Sequence, residues 1–504
     1  MDKNLIIRNT IFLYFRMIIV LIVTLFASRI ILKALGIEDF GLLNVVYGVV
    51  ALISYIQNTL STSSSRFITY ELGVKNGGRC KEVFNNVFIV HILISLVFLI
   101  LIETIGLLVV NYILIIPNNR LLACNIVFQT AVVVTVFTFL RIPFNSLIIA
   151  HEKMGVFAGL SIANALIGLV IAYFTLYHLG DRLILYSLLS LIPAICSTLV
   201  SFLYCKIKYP TICEVKKTYD KKNIKGLLSF STWNLLWSTA VAIRIQGVSI
   251  LINIFWGAVV NAANAIASQV NRGAVLFTEN FTNSLKPQIT KSYASGDSDS
   301  LRKLLFLGGK ISFLLMVLVC FPVLFETPYI LKIWLGEIPE YSVIFTRMVI
   351  IVSLLEIFNE TIGTSIQATG KIKNYQIMGS IIVFLNFPLS FLAFYVGLPV
   401  WSAYLINILL SVVTMIPRLV FVERLLTISW IDYAKEVLLK SLLLSGAATI
   451  VPMIIVFNMV ESVWRLILIV ILGTITTIFF SLFICFGRTE RDLISQIILK
   501  KMHQ

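Results

Sequence analysis

Three arginines, Arg16, Arg244 and Arg272, fall well inside apolar runs long enough to cross a bilayer. A charge at bilayer depth costs a few kcal/mol even on lenient insertion scales, so such a side chain faces a water-filled cavity or a partner. Cations in a cavity imply an anionic substrate, and the planar guanidinium fork suits phosphate or pyrophosphate in particular. Arg16 follows Phe12 by one helical turn and Arg8 by two, and Arg244 has Trp237 and Trp233 at i−7 and i−11. Aromatics beside cations can pack against sugar faces, although aromatics in so apolar a chain are usually core. For any one arginine the other reading is snorkelling to an interface or pairing with a buried acid. Acids inside the runs are Glu279, seven residues from Arg272, and Glu356 with Glu360 one turn apart. They are candidates for binding the proton or sodium ion that drives transport, as desolvated carboxylates can. The competing role is to pair with arginines and close a gate.

The elements that must hold these groups are helices with one polar face. The second apolar run and its end carry Asn44, Tyr47, Tyr55, Asn58, Thr62 and Ser65, mostly at steps of three or four. The eighth carries Asn261, Asn264, Ser268, Arg272, Glu279 and Asn283 at similar steps. Such spacing places each set along one side of a helix, and polar groups facing lipid are costly, so both stripes point to protein or water. Hydrogen bonding between helices of a dry bundle would explain the Asn and Ser members, but is less suited to Arg272.

Composition leaves little room for a soluble protein. The chain has 504 residues, 13% charged, with a mean hydropathy of +0.97. Apolar runs recur at the roughly 20-residue length that spans a bilayer as a helix. Fourteen are read, at roughly 10–33, 40–62, 83–110, 120–149, 156–177, 183–204, 226–252, 254–285, 304–326, 341–368, 375–396, 398–422, 434–457 and 463–486, the shortest gaps lying near 253 and 397. The alternation of a membrane β-barrel is absent, so the fold expected is an all-α polytopic membrane protein.

With both termini in the cytoplasm, the even-numbered loops and the tails hold most of the 40 basic residues, including Lys206, Lys208, Lys216, Lys217, Lys221, Lys222 and Lys225. The outside loops hold Arg29, Lys33, Arg120, Arg182, Lys332, Arg347 and Arg465. That asymmetry is the positive-inside pattern. It also accounts for the net charge of +16, and no aromatic-basic module points to nucleic acid. The seven cysteines form no Cys-x-x-Cys pair and no two histidines share a helix at ligand spacing, so no metal is expected. No phosphate-binding glycine loop is present, so no nucleotide cofactor is expected either; the only small ion implied is a coupling H+ or Na+.

Tyr-x-x-Gly-x-x-x-x-x-Arg occurs twice, as Tyr70, Gly73, Arg79 and as Tyr293, Gly296, Arg302, 223 residues apart. Ala150, Lys153 and Phe157 match Ala368, Lys371 and Tyr375 at an offset of 218. These pairs indicate a duplicated unit of six spans, and parallel repeats of this kind build transporters of two facing lobes. The organisation expected is an N-lobe at 1–205 (spans one to six), a basic linker at 206–225 and a C-lobe at 226–424 (spans seven to twelve). Two extra spans at 425–486 and a cytoplasmic tail at 487–504 follow.

The segment GIEDFGLLNVVYGVVALI, then SRFITYELG before a basic loop, and later LFTENFTNSLKPQITKSYASGD, resemble the polysaccharide-export branch of the multidrug/oligosaccharidyl-lipid/polysaccharide exporter superfamily. The likeness is greatest to Wzx-type O-antigen and capsule repeat-unit flippases and covers nearly the whole chain. It implies a two-lobed, MATE-like helical fold that alternates access. It further implies an undecaprenyl-pyrophosphate-linked oligosaccharide moved from the cytoplasmic to the periplasmic leaflet of the bacterial inner membrane, with a polysaccharide polymerase and a chain-length regulator as partners. Relatives share a cation-rich cavity, which Arg16, Arg244 and Arg272 are placed to supply. A lipid II flippase, a multidrug/cation antiporter of the same superfamily, or a pathway enzyme are the rivals. The antiporter would favour acids over arginines in its cavity, and a polymerase or glycosyltransferase would show a large outside loop or a catalytic domain, whereas the loop near Glu326 to Tyr341 is short.

The orientation has a direct test. In a cysteine-free background, Thr218→Cys in the basic linker is expected to react with a membrane-impermeant maleimide only after spheroplasts are opened, and Glu337→Cys in intact ones. The reverse pattern would invert the topology.

Overall fold

A backbone that crosses hydrocarbon must satisfy its own polar groups, and helices do this within one segment. The computed structural model describes residues 3–51, 54–73, 79–213, 236–369, 371–487 and 490–491, and among them it is helical with no strand. Twelve helices among the described residues are long and apolar enough to cross a membrane. Their apolar surface is divided unevenly. In Ser298–Phe325, 61% of the most apolar stretch is buried by protein, but in Met154–Leu176 only 11% is. An apolar helix so little covered by its own chain is stable only against lipid. The all-α polytopic fold read from composition is the one found.

The difference between twelve helices and fourteen expected spans lies in two glycines. Lys3–Ala51 runs through Gly36 at φ 79°, ψ 172°, and Val248–Ala294 runs through Gly257 at φ 80°, ψ −173°. This conformation is essentially restricted to glycine, and it interrupts each rod with a single residue. Taking each broken rod as two spans restores fourteen. The seventh gap, expected near 253, is at Gly257; the gap near 397 is where Gly397 turns at φ 87° between Tyr395 and Ser402. Gly36 and Gly257 are 221 residues apart, so the repeat extends to backbone geometry. The segment at Glu326 to Tyr341 carries a short helix, Thr327–Leu335.

The chain packs as two compact units. The first comprises Met1–Ala265 with Phe387–Val400, the second Ile266–Asn386 with Trp401–Gln504. In the first, Gly41 lies so close to the backbone of Ala258 that a Cβ there would collide with its carbonyl. The fully buried Asn261 ties the same region together: its side chain accepts from Ser249 Oγ at 2.8 Å and donates to the Gly41 carbonyl at 3.4 Å. Asn253 accepts from the Ile115 amide at 3.0 Å. Phe255 and Trp256, just before the glycine break, pack on Phe391 and Phe394. Elsewhere in this unit Arg120 pairs with both Asp39 and Asp181.

In the second unit the two C-terminal helices, Trp430–Asn458 and Val463–Ile484, share one core with the rest. Leu444, Ala448, Cys485 and Phe486 belong to the same buried cluster as Phe313, Phe358 and Tyr375. Charge fixes both ends of this docking. Arg465, at the start of the last helix, meets the fully buried Glu326 through a 2.6 Å Nε–Oε1 contact and a 2.9 Å Nη2–Oε2 hydrogen bond. At the other end Lys310, 3% exposed, donates to both carboxylate oxygens of Glu490 at 3.0 Å.

Breaking a buried ion pair by removing one partner costs about 3–5 kcal/mol, whereas replacing both by apolar groups is much milder. Glu326→Ala is therefore expected to lower the thermal midpoint of the purified protein sharply. The double variant Glu326→Leu with Arg465→Met recovers most of the loss, as read by fluorescence-detected size-exclusion after heating. Equal loss in both would mean that the pair contributes net stability beyond its own desolvation cost.

Candidate cationic cavity

Arg16 is held on the first span, half-buried, with its guanidinium 4.9 Å from the centre of the Phe157 ring. A cation over a ring face is favoured electrostatically, which fixes the orientation of the group without consuming its hydrogen bonds. Its Nε is buried and has no hydrogen-bond partner among the described residues. The side chain opens on a cavity of about 430 Å³ within the first unit, lined from the first, second, fourth, fifth and sixth spans.

A second arginine lines the same cavity. Arg141, on the fourth span, donates from Nη1 to Ser197 Oγ at 2.6 Å. Gln57, Ser61, Thr138, Asn145, Ser161, Asn164 and Ser201 supply neutral polar groups, and Val20, Ile142, Ile149 and Leu160 the apolar part. Some of the polar groups are already engaged: Ser201 Oγ is bonded to Asn145 Oδ1 at 3.2 Å and Gln57 donates to the Thr135 carbonyl at 3.3 Å. Asn164 Oδ1 is buried with no hydrogen-bond partner among the described residues. Among the described residues, the lining contains two guanidinium groups and no carboxylate. With low-dielectric walls, that imbalance concentrates positive potential in the cavity and favours an anion.

Sequence reasoning identified Arg16 but passed over Arg141, and also Arg418, although both lie inside predicted spans. The signal that finds them is the rule that found Arg16, combined with the second repeat marker. Phe157 and Tyr375 are equivalent positions of the two repeats, and each lies beneath an arginine. Within the second unit Arg418 is 5.3 Å from the Tyr375 ring centre and donates to the Asn359 carbonyl at 2.6 Å. The repeated aromatic is thus an arginine rest in both halves, with the arginine arriving from a different helix each time.

Arg244 is half-buried in the first unit on a π-helical turn, Ile243–Gly247, a form common at functional sites. It is not among the residues lining the Arg16 cavity. Nor is it the repeat equivalent of Arg16: Arg16 precedes its glycine break by 20 residues and Arg244 by 13. That difference is two turns on the same helical face, roughly 10 Å in depth. Arg272 belongs to the second unit and is exposed.

The polar stripes divide similarly. Asn44 donates to the Phe40 carbonyl of its own helix at 2.7 Å, and the Tyr47 hydroxyl is bonded to Ser190 Oγ at 2.9 Å. Asn261 is committed to the helix contact described above. Asn264 and Ser268 are half-buried. The side chains of Arg8, Phe12, Tyr55, Asn58, Thr62 and Asn283, and all of Trp233, lie outside the described residues. The three acids are brought together in the second unit: Glu360 has Glu279, Glu356 and Lys286 as charged neighbours. The motif arginines make surface ion pairs, Arg79 with Glu82 at 3.9 Å and Arg302 with Asp432 at 2.7 Å.

No curated protein matches the sequence. Among solved structures, the chain is similar to a lipid II flippase, MurJ, in an inward closed conformation, with a TM-score of 0.68 at 16% identity over 97% of this chain and 100% of that one. It is also similar to an inward-facing multidrug resistance MATE family transporter of the MOP superfamily, with a TM-score of 0.66 at 15% identity over 80% and 95%. A third is the MATE multidrug transporter DinF-BH, with a TM-score of 0.63 at 15% identity over 82% and 95%. At these identities the likeness establishes a shared fold. The sequence model of the polysaccharide biosynthesis protein family matches residues 6–278, more than half of the chain, and the protein belongs to that family.

Proposed function

We propose that this protein is a membrane transporter of the flippase type that carries the anionic headgroup of a lipid-linked saccharide across the bilayer. The substrate proposed is a polyprenyl-pyrophosphate-linked oligosaccharide repeat unit of O-antigen or capsule, moved from the cytoplasmic to the periplasmic leaflet of the inner membrane with both termini cytoplasmic. The observation that carries the reading is the cavity in which Arg16 and Arg141 face space with no carboxylate among the described lining residues. Family membership and the flippase and exporter folds support it from outside the site. Arg16, pre-oriented on Phe157, and Arg141, oriented by Ser197, act as a two-point clamp for a diphosphate, and the amide and hydroxyl groups suit the first sugar. Arg244, in the first unit, and Arg272, in the second, remain candidate cations for an anionic substrate. An anion held this way moves only if its affinity differs between inward- and outward-open states.

Glu279, Glu356 and Glu360, clustered with Lys286, are proposed as the ion-coupling group, taking H+ or Na+. A polysaccharide polymerase and a chain-length regulator are the proposed downstream partners. They remove the flipped product and so add to the net direction.

Two measurements follow. In proteoliposomes carrying a fluorescent lipid-linked oligosaccharide, Arg16→Gln and Arg141→Gln are each expected to lower the initial flipping rate by about 10- to 100-fold, the worth of one lost charge-assisted hydrogen bond. Arg141→Lys keeps part of the rate. Wild-type rates in both glutamine variants, or efficient transport of a cationic dye by the same vesicles, would overturn the assignment and favour a cation exporter. Secondly, an imposed H+ or Na+ gradient is expected to accelerate flipping in the wild type, and Glu360→Gln to abolish that acceleration while leaving gradient-free exchange in place. Acceleration retained in the variant would remove the carboxylates from coupling.

A further inference from the structure

Glu103 is a further carboxylate inside an apolar run, on the third span, Cys80–Ile113, which is the most apolar of the twelve. It lies ten residues, about 15 Å, from the end of that span at Ile113. The span is about 51 Å long against about 30 Å of hydrocarbon, so a centred span puts Glu103 about 5 Å inside the apolar layer. A charge at such depth is costly and calls for a partner. Among the described residues its carboxylate accepts one hydrogen bond, from Gln129 Nε2 to Oε2 at 3.0 Å, and meets no cation.

Glu103 opens on a cleft of about 440 Å³ in the first unit, lined also by Thr104, Leu107, Leu108, Asn111, Tyr112 and Leu121. The cleft shares no residue with the Arg16 cavity. Two π-helical turns, Ile102–Gly106 and Val109–Ile113, interrupt the helix here, a form frequent at functional sites. Gly106 lets the fourth span close in, since a Cβ there would stand 2.8 Å from the Phe128 ring. The polar lining is nearly all acceptor. Asn111 and Asn125 exchange Nδ2–Oδ1 hydrogen bonds at 3.1 and 2.9 Å, and each donates its other N–H to its own helix, to the Leu107 and Leu121 carbonyls at 3.0 Å. All four amide N–H groups are thereby spent, while each Oδ1 keeps a lone pair. The Thr104 hydroxyl gives its proton to the Ile100 or Leu101 carbonyl, at 2.8 and 3.1 Å. The acceptors left to a ligand are Glu103 Oε1, Thr104 Oγ1 and Asn111 Oδ1, and the one lining donor left is the Tyr112 hydroxyl.

We propose that this cleft is a lipid site for the primary ammonium headgroup of a membrane phospholipid, with Glu103 as its counter-ion. An ammonium brings three N–H donors and no acceptor, the complement of this lining, and a charge-assisted hydrogen bond to the carboxylate is the strong kind. A free anion would find a single hydroxyl and a repelling carboxylate. The surroundings indicate a lipid and not a water-soluble amine: Ile105, Leu108 and Leu122 are all mostly exposed, an apolar surface suited to acyl chains. Tyr112, also exposed and nearer the end of the span, suits the phosphate ester at the membrane interface.

The test uses the purified full-length protein in mixed micelles holding equal amounts of chain-matched phosphatidylethanolamine and phosphatidylcholine, with bound lipid counted by native mass spectrometry. Phosphatidylethanolamine is expected to be bound in about 10-fold preference, the worth of one charge-assisted hydrogen bond. Stepwise N-methylation of its headgroup should erode that preference as donors are lost. Glu103→Gln, which keeps the shape of the side chain, is expected to bring the ratio to about one with size-exclusion behaviour unchanged. Equal binding of the two lipids by the wild type, a preference unaltered by methylation, or a preference retained in Glu103→Gln would each overturn the assignment. Displacement of the bound lipid by soluble ethanolamine would overturn it too, by assigning the cleft to a water-borne amine.

Discussion

An arginine placed at bilayer depth has to be solvated by something other than lipid, and much of this chain's architecture follows from that requirement. Arg16 is solvated by the face of Phe157 and by a polar cavity, Arg141 by Ser197 and the same cavity, Arg418 by Tyr375 and the Asn359 carbonyl. Each arrangement demands that a second helix bring an aromatic or an oxygen to a defined depth. That demand fixes the register of helices otherwise free to slide in a uniform apolar medium. The hydrophobic effect, which orders soluble cores, gives little preference among helix pairings within a bilayer. Polar groups therefore carry a larger share of the specificity here than their number would suggest.

The same logic separates structural from functional polarity. A stripe shared with Asn264 and Ser268 marks Asn261 as a residue facing a cavity. In the fold both ends of its amide are engaged by Ser249 and Gly41, and it has no exposed surface. Arg16 lies on a less polar helix, yet its Nε is left without a partner among the described residues beside open space. A stripe reports which side of a helix avoids lipid; only the partners tell whether that side meets protein or substrate.

How much is legible in the sequence follows from what each signal encodes. Hydropathy reports length and polarity, so the spanning segments are readable, and the repeats expose the duplication. A glycine at positive φ does not alter hydropathy, so the break at Gly257 is displaced to 253 in a reading by hydropathy. The pairing of Arg16 with Arg141 joins positions 125 residues apart, and no spacing rule within one helix connects them. The meaning of Phe157 and Tyr375 is likewise hidden. Their equivalence is visible as a repeat, but their shared role depends on arginines delivered by non-equivalent helices.

The division of the chain between its packing units bears on how such a protein is made. Residues up to Ala265, and then Phe387–Val400, belong to the first unit, with Phe391 and Phe394 seated on Phe255 and Trp256. Chains emerge from the ribosome in sequence order. The first unit therefore cannot be completed until residue 400 has been inserted, long after its own early spans are in the membrane. During that interval the aromatic faces at Phe255 and Trp256 and the seat around Gly247, later filled by Phe387, must be covered by lipid or by an insertion factor. Assembly of this protein is thus a folding problem with a built-in delay, set by where along the chain its last packing element is encoded.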